Sequence, residues 1–254
     1  MKNNQKGATL IVVLILLLII TVIGTLAVKN SLTALNIATN SQAQQLLVQN
    51  SDSAIFHVEN PAYLVRNLAQ DGLFGFITID MNKGKELVFC YKGTQSQFFN
   101  MANSSVMMWE SGTAPSNSSA GLDGYCKLDS QGSFFTSGRK AVMTQVAVKV
   151  QKSTSNLSVG IENPFDYMQT GTDLDAAKIA KTDKVLVTSA SIVPMLSTAS
   201  DDAINDCFAK HINQVMKIPA AGTDRSVSQC LQDLGVPVNT QVTEYNLIQP
   251  VNRT

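Results

Sequence analysis

The feature that most constrains this chain is an uninterrupted apolar segment close to its beginning. Residues 8–28 read ATLIVVLILLLIITVIGTLAV and contain no charged side chain. As a helix these residues would extend over roughly 32 Å, which matches the hydrocarbon core of a bilayer at about 30 Å. Lys2 and Lys6 precede the segment and Lys29 follows it. Because cationic residues before a span favour the cytoplasm, the pattern predicts an exported C-terminal side.

Two ordinary kinds of segment share this hydropathy. A cleaved secretory signal peptide has an apolar region of about 7–15 residues followed by a small-residue cleavage site. The run from 8 to 28 is longer than that, and no A-x-A site follows closely. An uncleaved signal anchor fits the hydropathy equally well, so this segment alone leaves the class of protein open.

The residues after the span predict that the helix continues. No proline occurs before Pro61, and residues 29–58 carry a mildly apolar stripe at steps of three and four residues. The stripe consists of Leu32, Leu35, Thr39, Ala43, Leu46, Asn50 and Ala54. One helix from about residue 8 to 58 is therefore expected. Its first half would lie in lipid and its second half would pack against a globular domain.

A short basic leader, a glycine, an apolar span and a long amphipathic continuation together resemble the N-terminus of type IV pilins, and most closely that of PilX-type minor pilins. The residues that carry the resemblance are Lys6-Gly7 followed by Ala8-Thr9-Leu10-Ile11. The resemblance covers about the first 60 residues. It implies that a prepilin peptidase cuts between Gly7 and Ala8 and methylates Ala8 as the new N-terminus.

The resemblance also implies a division of the chain and a location. Residues 1–7 would be the leader, 8–28 the transmembrane half of the helix, 29–60 its amphipathic half and 61–254 a periplasmic head. The protein would wait in the inner membrane as a single-pass protein and would become extracellular at the pilus tip after assembly.

One position departs from the usual pilin pattern. Most pilins have a glutamate five residues into the mature chain, where this chain has Val12, and no acidic residue precedes Asp52. That glutamate is understood to pair with the N-terminal ammonium of the neighbouring subunit already in the filament. A subunit without it would be suited to the first place in line. The resemblance therefore implies a minor pilin that primes assembly and lies at or near the tip.

The same resemblance implies partners rather than a cofactor. They are other minor pilins, the major pilin, the prepilin peptidase and the inner-membrane platform protein. Whether the protein also carries a tip adhesin is left open by the sequence. The processes would be adhesion, twitching motility and DNA uptake. Direct nucleic-acid binding is not expected, because 19 Lys and Arg residues balance 19 Asp and Glu residues and no basic run occurs.

The rest of the chain predicts an α+β head. Strands are expected at 86–92, 141–151, 157–161 and 184–193 from their β-branched, aromatic and alternating residues, with loops at 111–124 and 163–175. Strands in series after one long helix predict an antiparallel sheet packed on that helix. The tail from Asn239 is either a last strand or a loose end.

The four cysteines, Cys90, Cys126, Cys207 and Cys230, all follow the apolar segment. They form no CxxC pair and lie far from either histidine, which is poor spacing for zinc. In an exported domain two disulfides are the natural expectation. Four cysteines allow three connectivities. Sequence does not choose among them, although the sequential pairing is favoured because each bond closes a modest loop. A disulfide near the C-terminus also fits the pilin resemblance.

Two helices are expected late in the chain, at 200–217 and 226–234, with Ser200 or Asp201 as the first cap. Asp201, Asp202 and Asp206 cluster there and form a weak calcium candidate, but capping and compensation of the helix dipole explain them equally well. No metal or other cofactor is otherwise expected.

Catalytic motifs are lacking in the sequence. His57 and His211 lie in no recognisable nucleophile motif, and no G-x-S-x-G, H-E-x-x-H or P-loop occurs. The chain is therefore not expected to be an enzyme. Two alternatives remain: a GspK-type pseudopilin of type II secretion, and, in a different class, a signal-anchored periplasmic enzyme.

Overall fold

The computed structural model describes residues 8–93, 98–108, 116–118, 124–129, 141–151, 180–213 and 225–250. The chain forms two compact units, residues 1–45 and residues 46–254. Helix α1, Ala8–Glu59, begins in the first unit and ends in the second. The predicted long N-terminal helix and the α+β class are both confirmed.

Helix α1 ends where Asn60 and Pro61 start a new helix. Pro61 cannot continue α1, but its fixed φ suits the first turn of α2, Pro61–Leu68. The side chain of Asn60 accepts a hydrogen bond from the Ala62 amide at 3.0 Å and so caps α2. A third short helix, α3, spans Leu73–Thr78. Neither α2 nor α3 was predicted, because each is too short to show a clear helical period.

The described strands form one antiparallel sheet. They are β1 Glu86–Tyr91, β2 Ser104–Met108, β3 Ser116–Ser118, β4 Met143–Val150, β5 Ala180–Ile192 and β6 Val238–Pro250. Their order across the sheet is β3-β2-β1-β4-β5-β6, and every neighbouring pair is antiparallel. The last strand in the chain, β6, therefore lies at one edge of the sheet.

The sheet confirms three predicted strands and corrects one loop. The strands expected at 86–92, 141–151 and 184–193 are β1, β4 and β5. Residues 111–124 were expected to be loop throughout, but Ser116–Ser118 within them pair with β2. Serine and asparagine carry a weak strand signal, so only the ladder with a neighbouring strand reveals β3. The regions 157–161 and 163–175 lie outside the described residues.

One face of the sheet packs against the C-terminal part of α1 and against α3. Ala54 and Val58 of α1 join Leu73 and Ile77 of α3 over apolar residues of the strands. Those strand residues share one side of the pleat: Leu87, Phe89, Tyr91, Val106, Val146, Val148, Val150, Val185 and Val187. This cluster is the larger of the two main cores of the head.

The buried face of α1 agrees with the predicted stripe only from Ala43 onward. Leu32 and Leu35 are 57% and 62% exposed, so the expectation that the stripe packs on the head from residue 29 is wrong. Further along, one position also differs. Leu46 is 44% exposed, whereas Leu47 is buried, and the buried face continues through Ser51 and Val58. The prediction followed mainly apolar residues, whereas the buried face also includes the small polar Ser51, which is fully buried and bonds to the sheet. Asn50 and Ala54 of the predicted stripe are buried, as expected.

Hydrogen bonds around Ser51 join α1 to the sheet. The hydroxyl of Ser51 donates to Ser191 Oγ of β5 at 2.8 Å, and Ser191 Oγ lies 2.8 Å from Thr144 Oγ1 of β4. The side-chain Nδ2 of Asn239 in β6 donates to Ser51 Oγ at 3.2 Å. A buried hydroxyl must be paired to avoid a desolvation cost, so these four residues fix the position of the helix along the strands.

The opposite face of the sheet is covered by two late helices, α4 Asp201–Lys210 and α5 Val227–Asp233. Ser200 caps α4, as one of the two predicted options, and α4 ends at Lys210 rather than at the expected 217. His211, next in the chain, already has extended backbone (φ −120°, ψ 149°). A capping box of Ser226 and Gln229 starts α5.

The second core contains both disulfides. Cys90 of β1 bonds to Cys126, and Cys207 of α4 bonds to Cys230 of α5. This is the sequential pairing. Ile204 and Phe208 of α4 pack in the same cluster with Leu231 of α5. The first bond ties the segment at 126 to the sheet, and the second joins the two helices that cover it.

We expect removal of the Cys207–Cys230 bond to lower the free energy of unfolding. The bond spans 23 residues, and closing a loop of that size contributes about 3 kcal/mol by the loop-entropy model. The variant Cys207→Ser/Cys230→Ser, unfolded with urea in detergent and followed by near-ultraviolet circular dichroism, measures the loss. Cys90→Ser/Cys126→Ser opens the 36-residue loop and is the matched comparison. A loss in the α4–α5 variant below about 1 kcal/mol would contradict the expectation.

Candidate functional site

Within the first unit, the helix presents an apolar surface on all sides up to residue 28. Every Leu, Ile and Val from residue 10 to 28 is exposed, from 49% at Val22 to 68% at Leu10. A helix that is apolar all round is stable only in lipid or against other apolar helices. Among the described residues, α1 is the helix that is long and apolar enough to cross a membrane.

The polar side chains in this surface are satisfied within the helix. Thr21 Oγ1 donates to the Leu18 carbonyl at 2.8 Å, and Thr25 Oγ1 donates to the Val22 carbonyl at 2.9 Å. In hydrocarbon an unpaired hydroxyl would cost several kcal/mol, so these internal bonds let both threonines lie at membrane depth.

Gly24 lies between the two threonines in sequence, and because it has no side chain it leaves a shallow depression in the helix surface. A Cβ added there would meet nothing within 4 Å, so packing within this unit does not require glycine. Small residues on an apolar helix let another helix approach closely. Thr21, Gly24 and Thr25 therefore form a position where a neighbouring helix fits.

The residues predicted to take part in processing and assembly lie at the start of this helix. Ala8 is the first residue of α1 and Val12 lies one turn later with 60% of its surface exposed. Gly7 lies outside the described residues. An exposed valine at this depth offers no charge to a neighbour, in contrast to the carboxylate expected at the same place in most pilins.

The weak calcium candidate does not form a cluster in the head. Asp201 and Asp202 are exposed in the first turn of α4, and Asp206 accepts a bond from Lys210 Nζ at 2.6 Å. Within the described ranges, no group of three or more His, Cys, Asp or Glu side chains could hold a metal ion. The geometry fits capping and an ordinary i,i+4 ion pair.

His57 occupies a structural position. Its Nδ1 lies 2.8 Å from the Ser53 carbonyl and 3.1 Å from the Tyr91 hydroxyl, and its ring stacks on Phe98 at a centroid distance of 5.6 Å. These contacts tie the end of α1 to β1 and to the segment at 98. His211 is held differently, with Nδ1 3.0 Å from the Arg225 carbonyl.

A buried carboxylate on the other face of the sheet was missed from the sequence. Glu86, 2% exposed, accepts hydrogen bonds from Asn213 through its backbone amide (2.9 Å) and its side-chain Nδ2 (2.7 Å). Lys149 lies opposite Glu86 in the ladder, and burial lowers the pKa of its ammonium, an effect that Glu86 partly offsets. Two charged residues on well-formed strands were the available signal. Through its bonds to Asn213, Glu86 holds the segment after α4 against the sheet.

The N-terminal helix also has a recognised sequence pattern. Residues 6–56 match the family model described as PilX N-terminal. The N-terminal segment is that of a PilX-type type IV pilin. No curated protein and no solved structure matches the chain.

The boundaries of the match agree with the geometry of the PilX-type helix. The match starts next to the predicted cut at Gly7–Ala8 and ends three residues before α1 does. A PilX-type pilin is a structural component of the pilus system, and one apolar N-terminal helix is consistent with a membrane-anchored protein of that kind. Its association with other pilus components follows from the same family.

We expect a charge in the apolar half of α1 to impair anchoring, whereas the same charge beyond Lys29 does not. Leu18→Arg places a guanidinium near the middle of the span, at an insertion cost of about 3 kcal/mol. Leu35→Arg is the matched control, because Leu18 and Leu35 are similarly exposed on one helix, at 58% and 62%. Alkaline extraction of membranes measures the anchored fraction. Equal extraction of the two variants would contradict a span confined to residues 8–28.

Proposed function

We propose that this PilX-type pilin is a minor pilin that primes type IV pilus assembly and lies at or near the filament tip. The observation that carries the proposal is Val12. In the predicted mature chain Val12 is the fifth residue, and no carboxylate precedes Asp52. The subunit therefore has no negative charge within its apolar helix.

Electrostatics in an apolar environment connects Val12 to a position in the filament. A subunit that joins behind another would leave the ammonium of its predecessor unpaired if it lacked a carboxylate, and an unpaired charge is costly in lipid or in a packed helix core. This subunit does not provide that carboxylate, so joining behind another subunit is unfavourable. The ammonium of Ala8 can still be neutralised by the next subunit to arrive. The first position is therefore the favourable one.

The apolar helix supports the other part of the proposal. Before assembly, residues 8–28 would hold the protein in the inner membrane with the head in the periplasm, and afterwards the same surface would pack against helices of neighbouring pilins. The platform protein and the prepilin peptidase would be its partners on the membrane side. Adhesion, twitching motility and DNA uptake are the processes that a pilus primed in this way would serve.

The mature N-terminus tests whether the chain is processed as a pilin. We expect mass spectrometry of the protein from its native membrane to find N-methylated Ala8 in cells that have the prepilin peptidase, and an intact leader in cells that lack it. Gly7 is required at the cut in this proposal. An uncut Met1 in both strains, or a cut near Ala27, would return the chain to the class of signal-anchored exported proteins.

The substitution Val12→Glu tests the tip position. A carboxylate at residue 12 could neutralise the ammonium of the subunit ahead, so we expect the variant to enter the filament shaft as well as its end. Val12→Gln has the same size as Val12→Glu but no charge, and it should stay at the end. Immunogold labelling of the head on isolated pili measures the distribution. Shaft labelling of the unsubstituted protein, or of both variants alike, would refute the electrostatic argument.

A further inference from the structure

The sheet of the head has two unlike edges. At one edge, β3 has three residues, Ser116–Ser118. At the other edge, β6 has 13 residues, Val238–Pro250, and all of them pair with β5 on the inner side. At about 3.3 Å per residue, β6 is roughly 43 Å long. In the described part of the chain no strand lies on its outer side.

Strand β6 lacks the features that usually protect an exposed edge. Natural edges are short, bulged, or interrupted by lysine or proline, because unpaired amides and carbonyls invite another strand. Residues 238–249 contain no lysine, arginine, glycine or proline and a single acidic residue, Glu244. Lys184 of β5 already partners that carboxylate, with Nζ 3.1 Å from Oε1. The pairing with β5 has no bulge and runs residue for residue from 238 to 250.

The side chains along this edge define what kind of strand fits. On the face away from α1, Thr240, Val242, Glu244 and Asn246 are all exposed, Val242 by 57%. On the face toward α1, Gln241 donates to Asp52 at 2.7 Å and Tyr245 donates to Glu59 at 2.9 Å. A matching strand would be rich in β-branched and uncharged polar residues.

The direction of β6 argues against a pair of identical edges. The contacts Ser51–Asn239, Asp52–Gln241 and Glu59–Tyr245 show that α1 and β6 run the same way through the head. A two-fold pair of antiparallel β6 strands would place the entry points of the two chains, at Leu46, at opposite ends. Copies that are anchored in one membrane, or that share one filament polarity, enter their heads from the same end.

The β3 edge of a second copy does not fill the role either. Since all neighbouring strands are antiparallel, β3 of a copy in the same orientation would run antiparallel to β6. Its three residues, however, would pair with only a fraction of the 13 residues of β6. Pairing with β3 of a second copy would therefore leave most of the outer main-chain groups of β6 unpaired, and a longer extended segment would be needed to pair them all.

We propose that the outer edge of β6 binds an extended segment of a different pilin of the same filament, which adds as an antiparallel strand and continues the sheet. The argument for a different pilin rests on the proposed function, because it uses the shared polarity of the subunits. Main-chain hydrogen bonds would supply affinity. The exposed side chains of Val242 and Glu244, on the face away from α1, would supply selectivity. The sheet would then join this subunit to its neighbour in a fixed orientation.

Hydrogen exchange on co-purified subunits tests the proposal. The full chain is co-expressed with each other pilin of its bacterium, one at a time, and each pair is purified in detergent. In an antiparallel strand every second amide points outward. We expect one partner to slow exchange of the outward amides within residues 239–249 by at least about tenfold, while the inward amides that bond to β5 stay protected. Amides of β1 and β4 should not change.

Substitutions at two exposed valines provide the control. Val242→Lys puts a cation on the edge and should abolish both co-purification and the added protection. Val65→Lys makes the same chemical change on α2, where Val65 is 83% exposed, and should leave both unchanged. Val242→Thr keeps a β-branched, uncharged side chain and should retain binding. Because these side chains are exposed, all three variants should fold with unchanged protection of β4.

Three results would overturn the proposal. The first is that none of the pilins protects β6. The second is that the chain alone protects β6 as its concentration rises, which would show self-pairing. The third is that Val65→Lys weakens binding as much as Val242→Lys. Protection of β6 does not depend on leader cleavage, so the two proposals fail separately: a methylated Ala8 with an open β6 refutes this inference alone, and an uncut leader with a protected β6 refutes the proposed function alone.

Discussion

The packing of the C-terminal part of α1 on the sheet is the interaction on which the head depends. Ala54 and Val58 complete the larger core, and the fully buried Ser51 donates a hydrogen bond to Ser191 of β5. The bonds among Ser51, Thr144 and Ser191, with one from the half-buried Asn239, compensate for burying three hydroxyl groups. Without this contact, one apolar face of the sheet would be exposed to water. Helix α3 and the strands of the larger core pack around this contact between α1 and the sheet.

The opposite face needs a different kind of support because its covering is built from short pieces. Helices α4 and α5 have 10 and 7 residues, and helices of that length are marginal on their own. The Cys207–Cys230 bond joins them, the Cys90–Cys126 bond ties a loop to β1, and Glu86 holds Asn213. Covalent and charge-assisted contacts thus take the place of the extended packing that α1 provides on the first face. An oxidising compartment, as expected for a periplasmic head, suits this arrangement.

The two parts of the molecule have different physical tasks. Residues 8–28 carry apolar surface and internally bonded threonines, which suit lipid and packed helices. The head carries a buried core and, at β6, a strand whose outer side has no partner strand among the described residues. In the proposed assembly, contacts through residues 8–28 would rely on dispersion and on the absence of charge, so a valine rather than a carboxylate at residue 12 would matter there. In the same proposal, contacts through β6 would rely on directional hydrogen bonds, which would fix the orientation of the neighbour.

Much of the first 60 residues was readable from the sequence, because a long uncharged run and the absence of proline before Pro61 depend only on local physics. The strands β1, β4 and β5 were readable for a similar reason, since Val, Phe and Tyr in short runs favour the pleated conformation. The sequence alone therefore determined the apolar helix, its continuation into the head, the PilX-type resemblance and the central strands. Only the tertiary structure decided that Leu47 rather than Leu46 is buried, that Ser116–Ser118 form a strand, that Cys207 meets Cys230, and that β6 is an edge strand of the described sheet. Each of these depends on which residues distant in sequence become neighbours, and a one-dimensional pattern of hydropathy does not encode that.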